Sequence, residues 1–247
     1  HCAKAYTDHF KNNHYKKTPI TFTHEPVLLD TGGGIDNVSE LLSSERFLVY
    51  NGDILTDLPI SNLTKHHSNN KNIVTLALRT KGEGKHIALN SESGKVTDIR
   101  NLLHSGDMGT YQFTGIYACD PQFLSYLQHK EKHSVIPVFL KLIQEKLLGG
   151  VVIDDGKWWD LGNRSNYLDA HQILAKSKFP DYLKRAKTDW RKNHSEQSHI
   201  ATNAKIDKSS YIGEGATIGS GANIINSIIW PNSEVAPDSQ LVRCIVR

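Results

Sequence analysis

Hydrophobic and polar positions follow two regimes along this chain, and the change falls near residue 200. Before it, short apolar runs alternate with stretches at helical spacing. Residues Phe47–Tyr50, 73–79 and 111–117 are rich in β-branched and aromatic side chains and predict strands. Residues 87–89 and 96–99, joined by turn-forming residues 90–94, predict a hairpin. Residues 137–144 carry apolar side chains at helical spacing, and further helices are expected over 5–13, around 60–67, over 121–127 and over 165–175. Ser165 is placed as the N-cap of the last of these. Residues 20–23 alternate like a short strand, and 31–34 read as a glycine-rich turn opening an amphipathic stretch over 35–42. Strands alternating with helices define an α/β domain.

The second regime is periodic. After a polar, basic stretch, Ile200, Ile206, Ile212, Ile218 and Ile224 recur every six residues; the spacing slips once and resumes at Ile229, Val235 and Leu241. A helix would need spacings of three and four, and a simple strand two. A hexad with glycines at its turns (Gly213, Gly215, Gly219, Gly221) predicts a parallel β-helix in which each short strand buries one isoleucine. A disordered Gly/Ser-rich tail would lack those apolar residues. The array is about 48 residues long, short for a free-standing solenoid, so it is expected to lean on the first domain or on another subunit.

Charge and composition narrow the function. The 29 Lys+Arg and 26 Asp+Glu are dispersed, with a net charge of +3, and give no argument for a nucleic-acid partner. Thirteen histidines are scattered without metal-ligand spacing. Cys2, Cys119 and Cys244, an odd number widely spaced, fit reduced thiols and a cytoplasmic location. Neither a membrane span nor a signal peptide is legible.

The chemistry is expected where apolar runs end in aspartate. Phe47-Leu48-Val49-Tyr50-Asn51-Gly52-Asp53 reads as a buried parallel strand closing on Gly-Asp, and Trp158-Trp159-Asp160-Leu161-Gly162-Asn163 is its counterpart 107 positions later. Open α/β sheets bind ligands just beyond the carboxyl ends of their strands. Two aspartates meeting there would hold a hard cation such as Mg2+ and handle phosphate. Taken singly, each has a plainer reading as turn chemistry.

Together the segments 28–35, 47–57, 113–117 and 158–162, in that order, resemble the sugar-1-phosphate nucleotidyltransferases, nearest the mannose-1-phosphate guanylyltransferase-like and N-acetylmuramate-1-phosphate uridylyltransferase-like members. The resemblance implies a Rossmann-like nucleotidyltransferase domain of the GT-A type over residues 1–177, a linker or helix over 178–199, and a short left-handed β-helix of hexapeptide repeats over 200–247. It implies that Asp53 and Asp160 jointly hold Mg2+ at the catalytic centre. It assigns Thr31, Gly32, Gly33 and Gly52 to the nucleotide, and Thr114 and Gly115 to the sugar. The implied reaction condenses a nucleoside triphosphate with a sugar-1-phosphate into an NDP-sugar and pyrophosphate, in the cytoplasm, for cell-envelope polysaccharide, with a possible homo-oligomer formed through the β-helix.

The chain departs from the family pattern in a minor way at Asn163, where the family often has Thr, and seriously at its start. Nothing before residue 30 matches its Gly-x-Gly-x-Arg loop and Pro-Lys segment, and His1 opens directly in helical pattern. The expectation is a chain that is either incomplete at this end or has lost the loop, with little turnover as it stands. The competing reading is a catalytically silent, sugar-nucleotide-binding regulatory paralogue. An acyltransferase built on the β-helix ranks lower, because no histidine lies between Ile200 and Arg247.

Overall fold

The computed structural model describes residues 3–10, 12–176 and 194–247. In chain order the first elements are α1 (Ala3–His9), β1 (His14–Tyr15), β2 (Thr18–Pro19), α2 (Asp30–Asp36), α3 (Ser39–Leu42), β3 (Phe47–Tyr50), β4 (Ile54–Thr56) and α4 (Ile60–Asn69). They are followed by β5 (Val74–Arg79), β6 (Lys85–Asn90), β7 (Lys95–Ile99), β8 (Tyr111–Cys119), a 3-10 turn (Pro121–Tyr126), α5 (Ile136–Gln144), β9 (Leu148–Val152), β10 (Trp158–Asp160) and α6 (Arg164–Lys176). The chain divides into two compact units: His1–Asn51 with Pro59–Asp155, and Gly52–Leu58 with Gly156–Arg247.

The first unit is built on a six-stranded mixed sheet of order β3-β8-β5-β9-β7-β6. Every residue of β5 is buried, Thr75 and Arg79 included, between antiparallel β8 and parallel β9. The sheet packs on α5 through Leu76, Leu78, Tyr117, Phe139 and Leu142, with Tyr117 edge-on to Phe139 at 5.3 Å between ring centroids. The expected hairpin is β6–β7, antiparallel with one irregularity between Ala88 and Leu89.

Four local expectations need correction. Strand β3 is neither parallel nor buried: it is the sheet's edge, antiparallel to β8, with Leu48 and Tyr50 each 43% exposed. Its alternating burial is that of a half-covered edge strand, which a four-residue apolar run does not distinguish from a central one. Residues 20–23 form no strand, since no described neighbour offers them a ladder; the short pair β1–β2 lies just before them. The glycine-rich segment is the first half of helix α2 rather than a turn, with Asp30 at φ 63° turning the chain into it. The cap of α6 is Asn163, whose Oδ1 accepts from the Asn166 amide at 2.9 Å, and Ser165 lies inside the helix.

The second unit combines the antiparallel pair β4–β10 and helix α6 with nine short strands. These are β11 (His199–Ile200), β12 (Lys205–Ile206), β13 (Tyr211–Ile212), β14 (Thr217–Ile218), β15 (Asn223–Ile225), β16 (Ile228–Ile229), β17 (Glu234–Val235), β18 (Gln240–Val242) and β19 (Ile245–Val246). They form three parallel sheets, β11-β14-β17, β12-β15-β18 and β13-β16-β19. Ile200 pairs with Ile218, eighteen positions on, whereas Ile212 pairs with Ile229, seventeen positions on. The single slip in the isoleucine period is therefore one residue missing from the tight corner between β15 and β16, where Asn226 adopts φ 49°. Ile212, Ile218, Ile224, Ile229 and Val235 form one buried cluster, with Ile200, Ile206 and Leu241 partly buried at its margins. Most of the segment 178–199, expected as a linker or helix, lies outside the described residues.

Candidate functional site

Asp53 and Asp160 are brought together by a small piece of antiparallel ladder. Strand β3 ends at Tyr50, the chain turns through Asn51 and Gly52, and β4 begins just after Asp53. β4 then pairs with β10 so that Ile54 faces Asp160 and Leu55 faces Trp159. The ladder extends one step further, where the Leu161 amide donates to the Asp53 carbonyl at 2.7 Å. Its far end is tied by Thr56, whose hydroxyl donates to the Lys157 carbonyl at 2.6 Å, and by the Asp57 carboxylate, which accepts from the Lys157 amide.

Gly162 measures how close the two carboxylates come. A β-carbon on Gly162 would lie 2.9 Å from Asp160 Oδ1 and 3.0 Å from Asp53 Oδ2, so the two oxygens are no further apart than the sum of those distances. The Gly162 amide donates to Asp160 Oδ1 at 2.8 Å and fixes that side chain, while both aspartates remain exposed to solvent. Both side chains are exposed, and rotation about their bonds would let both carboxylates reach one shared cation. Among the described residues no group of three or more His, Cys, Asp or Glu is arranged around a common point. A cation held by this pair would therefore complete its shell with water or substrate oxygens. That donor set suits Mg2+, which usually keeps several waters beside one or two carboxylates.

Of the two glycines of this region, Gly52 is the open one. A β-carbon at Gly52 would meet nothing within 4 Å, so protein packing does not demand glycine there and the space is free for a ligand. Gly162 was not singled out by sequence reasoning as a site residue. The Asp-x-Gly spacing was the available signal, because a side chain at that position would project between the carboxylates.

The other expected site residues belong to the first unit and are packed differently. The amides of Gly32 and Gly33 donate to the His133 carbonyl at 2.9 and 3.2 Å, and the Thr31 hydroxyl accepts from the Val135 amide at 3.0 Å. A β-carbon on Gly33 would sit 2.4 Å from the Glu131 carbonyl oxygen, and one on Gly32 would sit 2.4 Å from the His133 ring. These glycines are there because residues 131–133 cross α2 at backbone contact. Asp36 completes the clasp by accepting from the Lys130 amide at 2.8 Å and pairing with His129 Nδ1 at 3.2 Å. Burial would raise the Asp36 carboxyl, but the Lys130 amide and the His129 ring outweigh it and hold it below the ordinary carboxylate value.

Thr114 and Gly115 lie in a bulge of β8 where its register with β5 shifts between Leu76 and Leu78. Gly115 has φ 76°, the conformation that favours glycine, and its carbonyl accepts from the Asn51 amide at 3.0 Å. Thr114 is fully buried, with its hydroxyl donating to the Ala77 carbonyl at 2.9 Å. Cys119 and Cys244 are free thiols, and burial pushes Cys119 well above its ordinary value, which suits an inert core residue. Cys2 lies outside the described residues. No described helix is long and apolar enough to cross a membrane.

Similarity to known proteins gives the chain a class. Residues 2–177 match the Nucleotidyl transferase family, and the chain belongs to that family. Among its relatives, mannose-1-phosphate guanyltransferase beta-B of Xenopus laevis is 24% identical over 212 residues, covering 79% of this chain and 53% of the relative. Mannose-1-phosphate guanylyltransferase of Mycobacterium tuberculosis is 24% identical over 202 residues, covering 80% and 55%. The chain thus spans about half the length of the curated relatives it matches. Among solved structures, a Bacillus anthracis protein assigned as a glucose-1-phosphate thymidylyltransferase superimposes with a TM-score of 0.59 at 14% identity, over 73% of this chain and 75% of that one. HddC of Yersinia pseudotuberculosis does so with a TM-score of 0.52 at 18% identity, over 68% and 73%. These last two likenesses are of fold.

Proposed function

We propose that the chain is a sugar-1-phosphate nucleotidyltransferase that makes an NDP-sugar and pyrophosphate with Mg2+. The observation that carries this reading is the meeting of Asp53 and Asp160 across Gly162. In the reaction, a phosphate oxygen of the sugar-1-phosphate forms a bond to the α-phosphorus of the nucleoside triphosphate. The bond from that phosphorus to the oxygen bridging the α- and β-phosphates breaks, and pyrophosphate leaves with the electron pair. No covalent enzyme intermediate is needed; the protein's task is in-line positioning and charge compensation. Asp53 and Asp160 would hold the cation, whose contribution when bound is to offset the mutual repulsion of the phosphates. The Gly162 amide keeps Asp160 oriented, and the open face at Gly52 admits the nucleotide.

By resemblance, Thr31, Gly32 and Gly33 are also proposed for the nucleotide, and Thr114 and Gly115 for the sugar. Since residues 131–133 cover the two α2 glycines, a nucleotide at that face would meet this segment first. The three parallel sheets support reading residues 200–247 as a left-handed β-helix, the stretch from 178 to 199 as its linker, and residues 1–177 as the transferase domain. A homo-oligomer through the β-helix, a cytoplasmic location and a role in cell-envelope polysaccharide synthesis belong to the same proposal.

The test is pyrophosphate release from a panel of nucleoside triphosphates and sugar-1-phosphates with Mg2+. Turnover that disappears with chelator and in Asp53→Asn supports the reading. A full panel without turnover, with Mg2+ binding intact, would favour the silent regulatory role instead.

A further inference from the structure

Outside the carboxylate pair, the second unit contains a cleft of about 420 Å3 lined by Gly162, Asn163, Arg164, Tyr167, Trp230 and Arg247 among others. That volume is within the usual range for a small-ligand site, roughly 300–1,000 Å3. Its charge is one-sided. Three arginines gather at this end of α6 and the last strands, and they differ in their partners. Arg243 is engaged, with Nη1 3.0 Å from Asp169 Oδ1 and Nη2 donating to Ser165 Oγ at 3.0 Å. Arg164 makes one long hydrogen bond, to the Arg243 carbonyl at 3.5 Å, and Arg247 lies 4.8 Å over the Trp230 ring. Among the described residues neither Arg164 nor Arg247 has a carboxylate partner, and no Asp or Glu lines the cleft.

The rest of the lining suits an organic body rather than a bare ion. Trp230 is 38% exposed, large for a tryptophan on a parallel stack whose neighbouring isoleucines are buried. Burial holds the Tyr167 phenol above its ordinary value despite Arg247, so at neutral pH it is an uncharged donor. Guanidinium groups bind phosphate by two parallel N–H···O bonds, and aromatic faces accept planar or sugar moieties beside them.

We propose that this cleft is a binding site for a phosphate ester, whose phosphoryl group lies between Arg164 and Arg247 and whose organic part lies against Trp230 and Tyr167. The site is separate from the transfer reaction in what it requires: neither aspartate nor a cation takes part. Gly162 nevertheless borders both the cleft and the carboxylates, so an occupant would touch the loop that spaces Asp53 from Asp160.

The experiment is binding at low ionic strength with chelator present, on the Asp53→Asn protein, using inorganic phosphate, a sugar 1-phosphate and a nucleoside monophosphate as probes. At least one ester should bind about tenfold more tightly than inorganic phosphate, and Arg164→Gln with Arg247→Gln should weaken it by about tenfold or more. The accompanying change in tryptophan fluorescence should vanish in Trp230→Phe, which separates this cleft from any site near Trp158 and Trp159. Equal binding of inorganic phosphate and both esters, or unchanged ester binding by the doubly substituted protein, would overturn the proposal. If the glutamine pair lowers the melting temperature, Arg164→Lys with Arg247→Lys preserves charge and bulk. A several-fold weakening is then expected, and native-like affinity would count against guanidinium recognition.

Discussion

Two glycine clusters in this molecule have opposite reasons for being glycine. At Gly32 and Gly33 an added β-carbon would run into the backbone at Glu131 or the ring of His133, and both amides already donate to the His133 carbonyl. At Gly52 an added β-carbon would meet nothing, and at Gly162 it would meet two exposed carboxylate oxygens. The first cluster is a structural clasp closed by residues 129–135. The second leaves room around acidic groups that, among the described residues, have no basic side chain paired with them. Glycine-rich segments look alike in sequence, but the atoms around each one distinguish packing from ligand space.

The comparison can be broken most sharply at the carboxylates. Asp53→Asn or Asp160→Asn is expected to lower kcat/KM by about 10^2–10^3 while the melting temperature hardly moves, since both side chains are exposed. Pyrophosphate release and thermal melts check both halves. A protein that loses stability instead would show that these aspartates serve the fold. Next in size is the paired contrast between Gly33→Ala and Gly162→Ala. The first forces a β-carbon against the Glu131 carbonyl and should cost about 1–3 kcal/mol in denaturant unfolding with cation affinity unchanged. The second should leave stability near native and weaken cation binding by about tenfold, seen by calorimetry.

A pH titration sharpens the clasp. The Asp36 carboxyl is held below its ordinary value in the fold, so its contribution is fully present above the unfolded value of about 4 and is lost as pH falls through the lowered folded value. Denaturant stability should therefore decline below about pH 4 in the native protein, and the decline should be smaller in Asp36→Asn. The smallest effect is at the α6 cap: Asn163→Ala removes the acceptor for the Asn166 amide and should cost about 1 kcal/mol.

Much of this arrangement was legible beforehand, for reasons that differ by element. The period-six isoleucines determine the three parallel sheets because each must reach one narrow shared core, and even the slip before Ile229 has its counterpart in the register. Strand β5 was legible because burial on both faces leaves β-branched and apolar residues, Val74, Thr75, Leu76, Ala77 and Leu78, at successive positions. Strand β3 was misread as buried because four apolar residues carry no record of which neighbours cover them. The Asp53–Asp160 pair was foreseen from motif order, but the β4–β10 ladder that joins the two was not. Strands of three residues are too short to show a period. The clasp over Gly32 and Gly33 was hidden for a similar reason, because it depends on backbone carbonyls, which every sequence has. Gly162 and Asn163 lay inside a recognised motif, yet their separate tasks emerge only from distances.

Titration of the chain with Mn2+ in place of Mg2+, counting bound ions by electron paramagnetic resonance, bears most directly on the pairing of Asp53 with Asp160. One ion per chain is expected, lost to the same extent in Asp53→Asn and in Asp160→Asn, with no further loss when the two are combined. Binding that survives either single substitution, or losses that add independently, would contradict a shared site.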